Sequence, residues 1–179
     1  MASGRLRIYW DTAPLIAWIT DERRADPAEM DGLAEVIDLV DRGKVILMTS
    51  VLWRAEVFDA SLTAAQRRRV EEAFESRSIV ELAIDSRIMS LTSEIRSYHK
   101  ASKAKDHLKN IRVPDAIHLA SAIHYDAEEF HTFDGAKVGG AKGGLLSLNG
   151  NVAGHRLKIC TPKAKQLTLD LAKAEEDAE

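Results

Sequence analysis

The chain has 179 residues, a formal net charge of -3 at pH 7 and a single cysteine, Cys160. This length suits one domain with a substantial hydrophobic core, and a lone cysteine excludes an internal disulfide. The net negative charge argues against a uniformly basic surface for binding nucleic acid. No apolar run approaches the roughly 18 residues of a membrane span, and the amino terminus lacks the layout of a signal peptide. We therefore expect a cytoplasmic protein.

Apolar runs and capping residues predict the elements of the first half of the chain. A mostly apolar run that ends at Asp11 predicts a buried strand. Asp26 is expected to cap a helix, and Thr63 begins a pattern that is typical of a capping box. A strand-to-helix turn is expected at Thr49 and Ser50. The predicted order is strand 5–11, helix 15–19, helix 27–42, strand 45–48, helix 51–58 and helix 64–74.

The second half of the chain continues the alternation of strands and helices. Asp85 is expected to cap a long helix, and Pro114 suits a first helical turn because its fixed φ matches the helix and its missing N–H is not needed there. Apolar residues cover most of the Pro114 helix, which predicts that it is buried. Glycines from Gly135 to Gly154 predict a long loop. The remaining predicted elements are strand 78–83, strand 129–133, strand 156–160 and a terminal helix from Pro162.

This alternation predicts the fold class. Right-handed crossovers place a helix over the sheet after each parallel strand, so both faces of the sheet become covered. We therefore expect a three-layer α/β/α fold with a central, mostly parallel sheet. One domain is predicted over residues 1–162, followed by a C-terminal helix and acidic tail over residues 163–179.

Four acidic residues are expected at one edge of this sheet. Asp11 and Asp134 each end a predicted strand. Asp115 lies in the first turn of the Pro114 helix, and Glu56 lies on the helix that leaves the second strand. Each alone has an ordinary explanation as a turn former, a helix-start charge or an exposed helix residue. In open α/β sheets, however, ligands bind beyond the carboxyl ends of the strands, and all four can reach that edge.

Such a cluster favours a divalent cation. Two carboxylates about 4 Å apart repel by roughly 4 kcal/mol at an effective dielectric constant near 20, so several ionised together need a cation or a shared proton. Oxygen ligands without a histidine or cysteine partner favour Mg²⁺ or Mn²⁺. An ion of this kind activates bound water and neutralises charge on a phosphodiester, so hydrolysis of RNA is the expected reaction.

Two stretches are rich in lysine and arginine. Residues 96–112 contain one acid, Asp106, and residues 135–169 contain none. Charge runs usually form solvated surface, but these stretches are also where a phosphate backbone could rest. The candidate substrate-binding residues are Lys103, Lys105, Lys109 and Arg112.

Short segments at strand ends and helix starts occur in an order that is similar to a known family. They are Ile8-Tyr9-Trp10-Asp11-Thr12 with Leu15-Ile16, Thr49-Ser50-Val51-Leu52 before Glu56, Val113-Pro114-Asp115-Ala116-Ile117-His118-Leu119-Ala120, Thr132-Phe133-Asp134, and Arg156-Leu157-Lys158-Ile159 before Thr161-Pro162. With these segments the chain resembles the PIN-domain ribonucleases, most closely the VapC-type toxins of bacterial toxin–antitoxin pairs. The likeness spans about residues 6–162.

The resemblance implies a metal-dependent endoribonuclease, held silent by a small antitoxin protein and assembled as a homodimer. Asp11 and Asp115 would be the principal metal ligands, and Glu56 a direct or water-mediated ligand that orients the attacking water. Asp134 would complete the site. Hydroxyl groups that would support the carboxylates or metal-bound water belong to Thr12 and Thr132.

Other interpretations of these residues stay open. His118, one turn after Asp115, is a candidate proton donor, although a helix histidine is more often structural. Gly135 follows Asp134 where the family often has a further acid, which allows a degenerate member that binds RNA or protein without cutting. A nuclease that processes DNA or structured RNA is a third possibility.

Overall fold

The computed structural model describes residues 5–57, 62–101, 111–135 and 144–162. Within these ranges it contains five β-strands and six α-helices. The strands are β1 (Leu6–Trp10), β2 (Val45–Ser50), β3 (Ile79–Leu82), β4 (Glu129–His131) and β5 (Lys158–Cys160). The helices are α1 (Thr12–Thr20), α2 (Pro27–Asp41), α3 (Trp53–Val57), α4 (Ala64–Glu75), α5 (Ser86–Ala101) and α6 (Val113–His124), and a 3₁₀ helix (Leu145–Leu148) precedes β5.

The strands form one sheet in the order β3-β2-β1-β4-β5, and every pairing is parallel. Strand β1 lies at the centre, where Ile8 is in register with Leu47 on one side and Glu129 on the other. The chain moves outward from β1 through β2 to β3 and then returns to β4 on the opposite side of β1. The strand order therefore reverses beside β1, which is where open α/β sheets form a ligand-binding crevice.

Helices cover both faces of the sheet, which confirms the predicted three-layer α/β/α class. On one face Phe130 packs in a core with Ile95 of α5 and Leu119 of α6. On the other face Trp10 packs in a core with residues of α1, α2 and α4 such as Leu15 and Leu33. Every residue of α6 from Ala116 to Ala122 is buried, which confirms the prediction of a buried helix.

The predicted helix caps are present. The Asp26 carboxylate accepts a hydrogen bond from a backbone N–H in the first turn of α2. Thr63 forms the complete capping box of α4. Asp85 accepts hydrogen bonds from two backbone N–H groups at the start of α5. Pro114 lies in the first turn of α6, as its fixed φ requires.

Several predicted boundaries are wrong. Helix α1 begins at Thr12, three residues earlier than expected, because Asp11 caps it, and β5 begins at Lys158, two residues later than expected. Strand pairing explains two further shifts. Thr49 and Ser50 belong to β2, because they are in register with Glu81 and Leu82 of β3 and are fully buried; the turn follows them, and α3 begins at Trp53. Strand β4 ends at His131, two residues earlier than expected. Pairing with another strand is a long-range effect that a local sequence pattern does not contain.

Several predictions fall on residues outside the described ranges. They concern Lys103, Lys105 and Lys109, the end of the helix at Phe58, residues 136–143 of the glycine-rich loop, and the C-terminal helix and tail over residues 163–179. The proposed domain boundary at residue 162 stays a prediction. In the part of the chain that the structure describes, no helix is both long enough and apolar enough to cross a membrane.

Candidate active site

A pocket of about 410 Å³ lies beside the carboxyl ends of β1 and β4. Its lining residues are Asp11, Thr12, Ala13, Ile16, Glu56, Arg112, Asp115, His118, Phe133 and Asp134. The structure thus places the four predicted acids and Thr12 around one pocket. Thr132 lies directly behind the pocket, where its hydroxyl donates to Asp11.

Asp11 is the most deeply buried of the four acids. It follows β1 and caps α1, with Oδ1 accepting a hydrogen bond from the Ala13 N–H at 2.6 Å. Oδ2 accepts a hydrogen bond from the Thr132 hydroxyl. Burial raises the pKa of Asp11 to about 6, although His118 and the two hydrogen bonds favour its ionised form. The desolvated carboxylate is therefore incompletely compensated by the groups around it.

Asp115 is paired with a cationic side chain at the same pocket. Arg112 donates from Nε to Oδ2 at 2.8 Å and from Nη2 to Oδ1 at 3.1 Å. This two-pronged contact raises the pKa of Arg112. The Arg112 side chain is 76% exposed and the Asp115 side chain 18% exposed, so the arginine covers the carboxylate from the solvent side.

Glu56 is held by two side chains. The Thr12 hydroxyl donates to Glu56 Oε2, and His118 Nε2 lies 2.8 Å from the same oxygen. Burial disfavours the charged form of Glu56, but hydrogen bonds with His118 and Thr12 outweigh it, so the pKa of Glu56 is lowered. Glu56 is therefore ionised at neutral pH.

Asp134 is held through both its backbone and its side chain. Its own N–H donates to the Thr132 hydroxyl oxygen at 3.0 Å, and its Oδ2 accepts from the Leu145 N–H at 3.1 Å. Gly144 makes this approach possible, because a Cβ at that position would lie 2.5 Å from Asp134 Oδ1. Gly144 also has φ of 65°, which side-chain-bearing residues rarely adopt.

The four acids surround the pocket without converging on one point. Each has its own protein partners: a backbone N–H and Thr132 for Asp11, Arg112 for Asp115, Thr12 and His118 for Glu56, and a backbone N–H for Asp134. Among the described residues, the group whose candidate ligand atoms lie within 4.8 Å of one another consists instead of Glu129, His131 and Cys160.

These three residues and Lys158 form a second polar group, the β4–β5 cluster, on the sheet face that carries α1 and α2. His131 Nε2 lies 2.9 Å from Glu129 Oε2, and Lys158 Nζ donates to Glu129 Oε1 at 2.8 Å. The Cys160 thiol lies 3.9 Å from Glu129 Oε2. Burial opposes ionisation of Glu129, but His131 and Lys158 outweigh it and lower its pKa to about 2.

Hydrogen bonding makes the β4–β5 cluster a poor metal site. Trp10 Nε1 donates to His131 Nδ1 at 3.3 Å, and an indole nitrogen can only donate. Nδ1 must therefore be the acceptor, so neutral His131 carries its proton on Nε2, where it donates to Glu129. The Nε2 lone pair that a metal would need is absent in this tautomer. We interpret the cluster as a structural ion network.

Sequence reasoning missed two contributors to the candidate active site. The Tyr9 hydroxyl lies 2.7 Å from His118 Nδ1, and the Ser50 N–H donates to Tyr9 Oη at 3.1 Å. Tyr9 was expected only as part of a buried strand. The sequence did contain a clue to this role, because the hydroxyl of a tyrosine inside a buried strand needs a hydrogen-bond partner.

The protein is an α/β/α domain with an acidic pocket at the reversal of strand order. Residues 8–136 match the family described as PIN domain. No curated protein matches the sequence. Because the family match covers well over half of the chain, this chain belongs to the PIN domain family, whose members are generally metal-dependent nucleases and therefore hydrolases.

Proposed function

We propose that this chain is an endoribonuclease that needs Mg²⁺ or Mn²⁺, and that it is the VapC-type toxin of a type II toxin–antitoxin pair. The observation that carries the proposal is the burial of Asp11 at the acidic pocket. This residue is 7% exposed, its carboxylate is incompletely compensated by the groups around it, and it lines a pocket with three further acidic residues. In a family of nucleases, such a pocket suits cleavage of a phosphodiester.

The residues of the pocket fit a hard divalent cation. Their donor atoms are carboxylate and hydroxyl oxygens, which Mg²⁺ and Mn²⁺ prefer. Asp11 and Asp115 would be the principal ligands, with Asp134 completing the site. A bound ion would supply positive charge that activates water and stabilises the phosphate in the transition state. It would also provide the counter-charge that Asp11 lacks.

Glu56 is suited to orienting the attacking water. Its two hydrogen bonds, from Thr12 and His118, both end on Oε2. Oε1 accepts none from the described part of the chain and is left for water in the pocket. In the reaction a water oxygen bonds to phosphorus and gives up a proton to solvent, the phosphorus bond to the leaving ribose oxygen breaks, and that oxygen takes up a proton from solvent. Glu56 holds the incoming water for this displacement.

RNA and protein partners are part of the same proposal. Arg112 lies at the pocket and is mostly exposed, so it can contact a substrate phosphate. Lys103, Lys105 and Lys109 belong to the basic stretch and would contact the RNA backbone. A small antitoxin and a homodimer follow from the likeness to VapC-type toxins, and a cytoplasmic location is part of the proposal on the grounds of the sequence pattern given above.

Two observations favour a different function. Asp115 already has a cationic partner in Arg112, and Gly135 stands where the family often has another acid. A degenerate PIN domain that binds RNA or protein without cutting it would have the same features. Turnover of RNA separates the two functions.

The direct test is cleavage of end-labelled, random-sequence RNA by the purified protein in Mn²⁺, Mg²⁺ or EDTA. We expect cleavage only with metal. Asp11→Asn and Asp115→Asn should each reduce the rate by about 1,000-fold, since a catalytic metal contributes several kcal/mol to the transition state. Asp31→Asn, which changes an exposed acid of α2, is the control and should keep wild-type activity. Cleavage that is equal in wild type and both pocket variants contradicts the proposal, and so does RNA binding without turnover in any metal.

A further inference from the structure

A chain of buried and partly buried hydrogen bonds leads from the backbone of β2 to Glu56. It runs from the Ser50 N–H to the Tyr9 hydroxyl, then to His118 Nδ1, and from His118 Nε2 to Glu56 Oε2. We propose that His118 is a positioning residue, which holds the Glu56 carboxylate in its place at the pocket through an Nε2–H donor supported by Tyr9. The inference rests on the proposed function, because it assigns Glu56 a task in that site.

The Glu56 carboxylate determines where the proton of His118 lies. An ionised carboxylate can only accept, so His118 Nε2, which lies 2.8 Å from Glu56 Oε2, carries a proton and donates it there. In neutral His118 the other ring nitrogen, Nδ1, is then an acceptor, and the Tyr9 hydroxyl 2.7 Å away supplies its donor. The Ser50 N–H donates to Tyr9 Oη at 3.1 Å and helps to hold the phenol in place. Tyr9 thereby supports the tautomer that holds Glu56.

Packing keeps the imidazole ring in place. His118 is 3% exposed, and its ring lies edge-on to Tyr9 with centroids 5.8 Å apart. Tyr9 in turn stacks on Phe130 at 5.4 Å with an interplanar angle of 7°. A ring that is confined on this side and hydrogen-bonded at both nitrogens has little freedom to turn.

The same geometry argues that His118 acts through Glu56 and not on the substrate. Both ring nitrogens are engaged, Nδ1 by Tyr9 and Nε2 by Glu56. His118 also lies one helical turn after Asp115 on the buried helix α6. One rigid helix therefore presents a candidate metal ligand directly and fixes a second carboxylate indirectly. Partners that orient ligands in this way strongly influence metal sites.

Two substitutions separate positioning from proton transfer. In His118→Gln the amide Nε2–H can replace the imidazole donor to Glu56, but an amide does not titrate. In His118→Leu the volume is similar and the donor is lost. His124→Gln, a histidine near the end of the same helix, is the matched control.

The measurements are the Kd for Mn²⁺ without RNA, determined by electron paramagnetic resonance of free Mn²⁺, and kcat and KM for RNA at saturating Mn²⁺. We expect His118→Leu to weaken Mn²⁺ binding or reduce kcat by about 10- to 100-fold per folded molecule, with a smaller change in KM. His118→Gln should restore most of this loss, and His124→Gln should match wild type in all three quantities.

Contrary results would be clear. Equal losses in His118→Gln and His118→Leu would overturn the inference in favour of proton transfer by the imidazole. If His118→Leu has the Kd and kcat of wild type, His118 contributes only to packing and the inference is wrong. If His118→Leu does not fold, His118→Asn replaces it, because its shorter amide can reach Tyr9 but not Glu56. If wild type cuts no RNA but His118→Leu binds Mn²⁺ more weakly than wild type does, the proposed function fails and the positioning role of His118 stands.

Discussion

Two buried carboxylates on the same sheet have opposite pKa shifts. Asp11 follows β1 and has a pKa raised to about 6, whereas Glu129 begins the neighbouring strand β4 and has a pKa lowered to about 2. Both are desolvated. The direct partners of Asp11 are neutral donors, whereas Glu129 is bonded to Lys158 and His131. In the β4–β5 cluster the cationic Lys158 offsets the burial of the Glu129 carboxylate. In the pocket no bonded cation offsets the burial of Asp11, so the pocket favours a cation that binds from solution.

The largest expected effect is stabilisation by metal, which should depend on the pocket and not on the cluster. At a Mn²⁺ concentration of about 100 times Kd, wild type should gain about 2.7 kcal/mol in free energy of unfolding. Asp11→Asn should show no such gain, because it lacks a charged ligand. Glu129→Gln should keep the full gain. Thermal unfolding with and without Mn²⁺ measures the gain in each of the three proteins. A metal-dependent gain that survives in Asp11→Asn and disappears in Glu129→Gln would reverse the comparison.

A second variant tests the structural role of the β4–β5 cluster. Glu129→Gln should lower the free energy of unfolding without metal by about 2 kcal/mol, because it removes charge-assisted hydrogen bonds from two buried or half-buried partners. For a chain of this size that is a fall in Tm of about 4–8 °C. Glu94→Gln, which changes an exposed acid of α5, should leave Tm unchanged. RNA cleavage by folded Glu129→Gln should equal that of wild type, and a lost rate there would place the cluster in the active site.

The smallest expected effect is the pH dependence of that contribution. The folded pKa of Glu129 is about 2 and its ordinary value is 4.5. The unfolded chain therefore binds the proton first as pH falls, so stability from Glu129 is complete above pH 4.5 and is lost toward pH 2. The difference in unfolding free energy between wild type and Glu129→Gln should shrink across this range in urea titrations. A difference that stays constant or grows on acidification would mean that Glu129 is not held ionised by its partners.

Sequence reasoning reached the fold and the acids because both depend on local patterns and one general rule. Apolar runs and caps at Asp26, Thr63 and Asp85 indicated the elements. The rule that ligands bind at the carboxyl ends of parallel strands then directed attention to Asp11 and Asp134. The three-residue spacing of Arg112, the N-cap of α6, and Asp115 in its first turn also suggests their contact.

Contacts between distant strands were not accessible in the same way. The β4–β5 cluster depends on β4 pairing with β1 and with β5, which no local pattern specifies. The link from Tyr9 to His118 joins residues that are 109 positions apart. Ser50 was expected in a turn, and its place at the end of β2 follows from pairing with β3. Each of these features depends on tertiary structure.

The central claim is that the acidic pocket, and not the β4–β5 cluster, binds the divalent cation. Crystals grown with Mn²⁺ and measured at a wavelength where manganese scatters anomalously test it directly. We predict an anomalous peak about 2.1 Å from carboxylate oxygens of Asp11 and Asp115, with Arg112 displaced from Asp115. A peak between Glu129, His131 and Cys160 with none at Asp11 would contradict the claim.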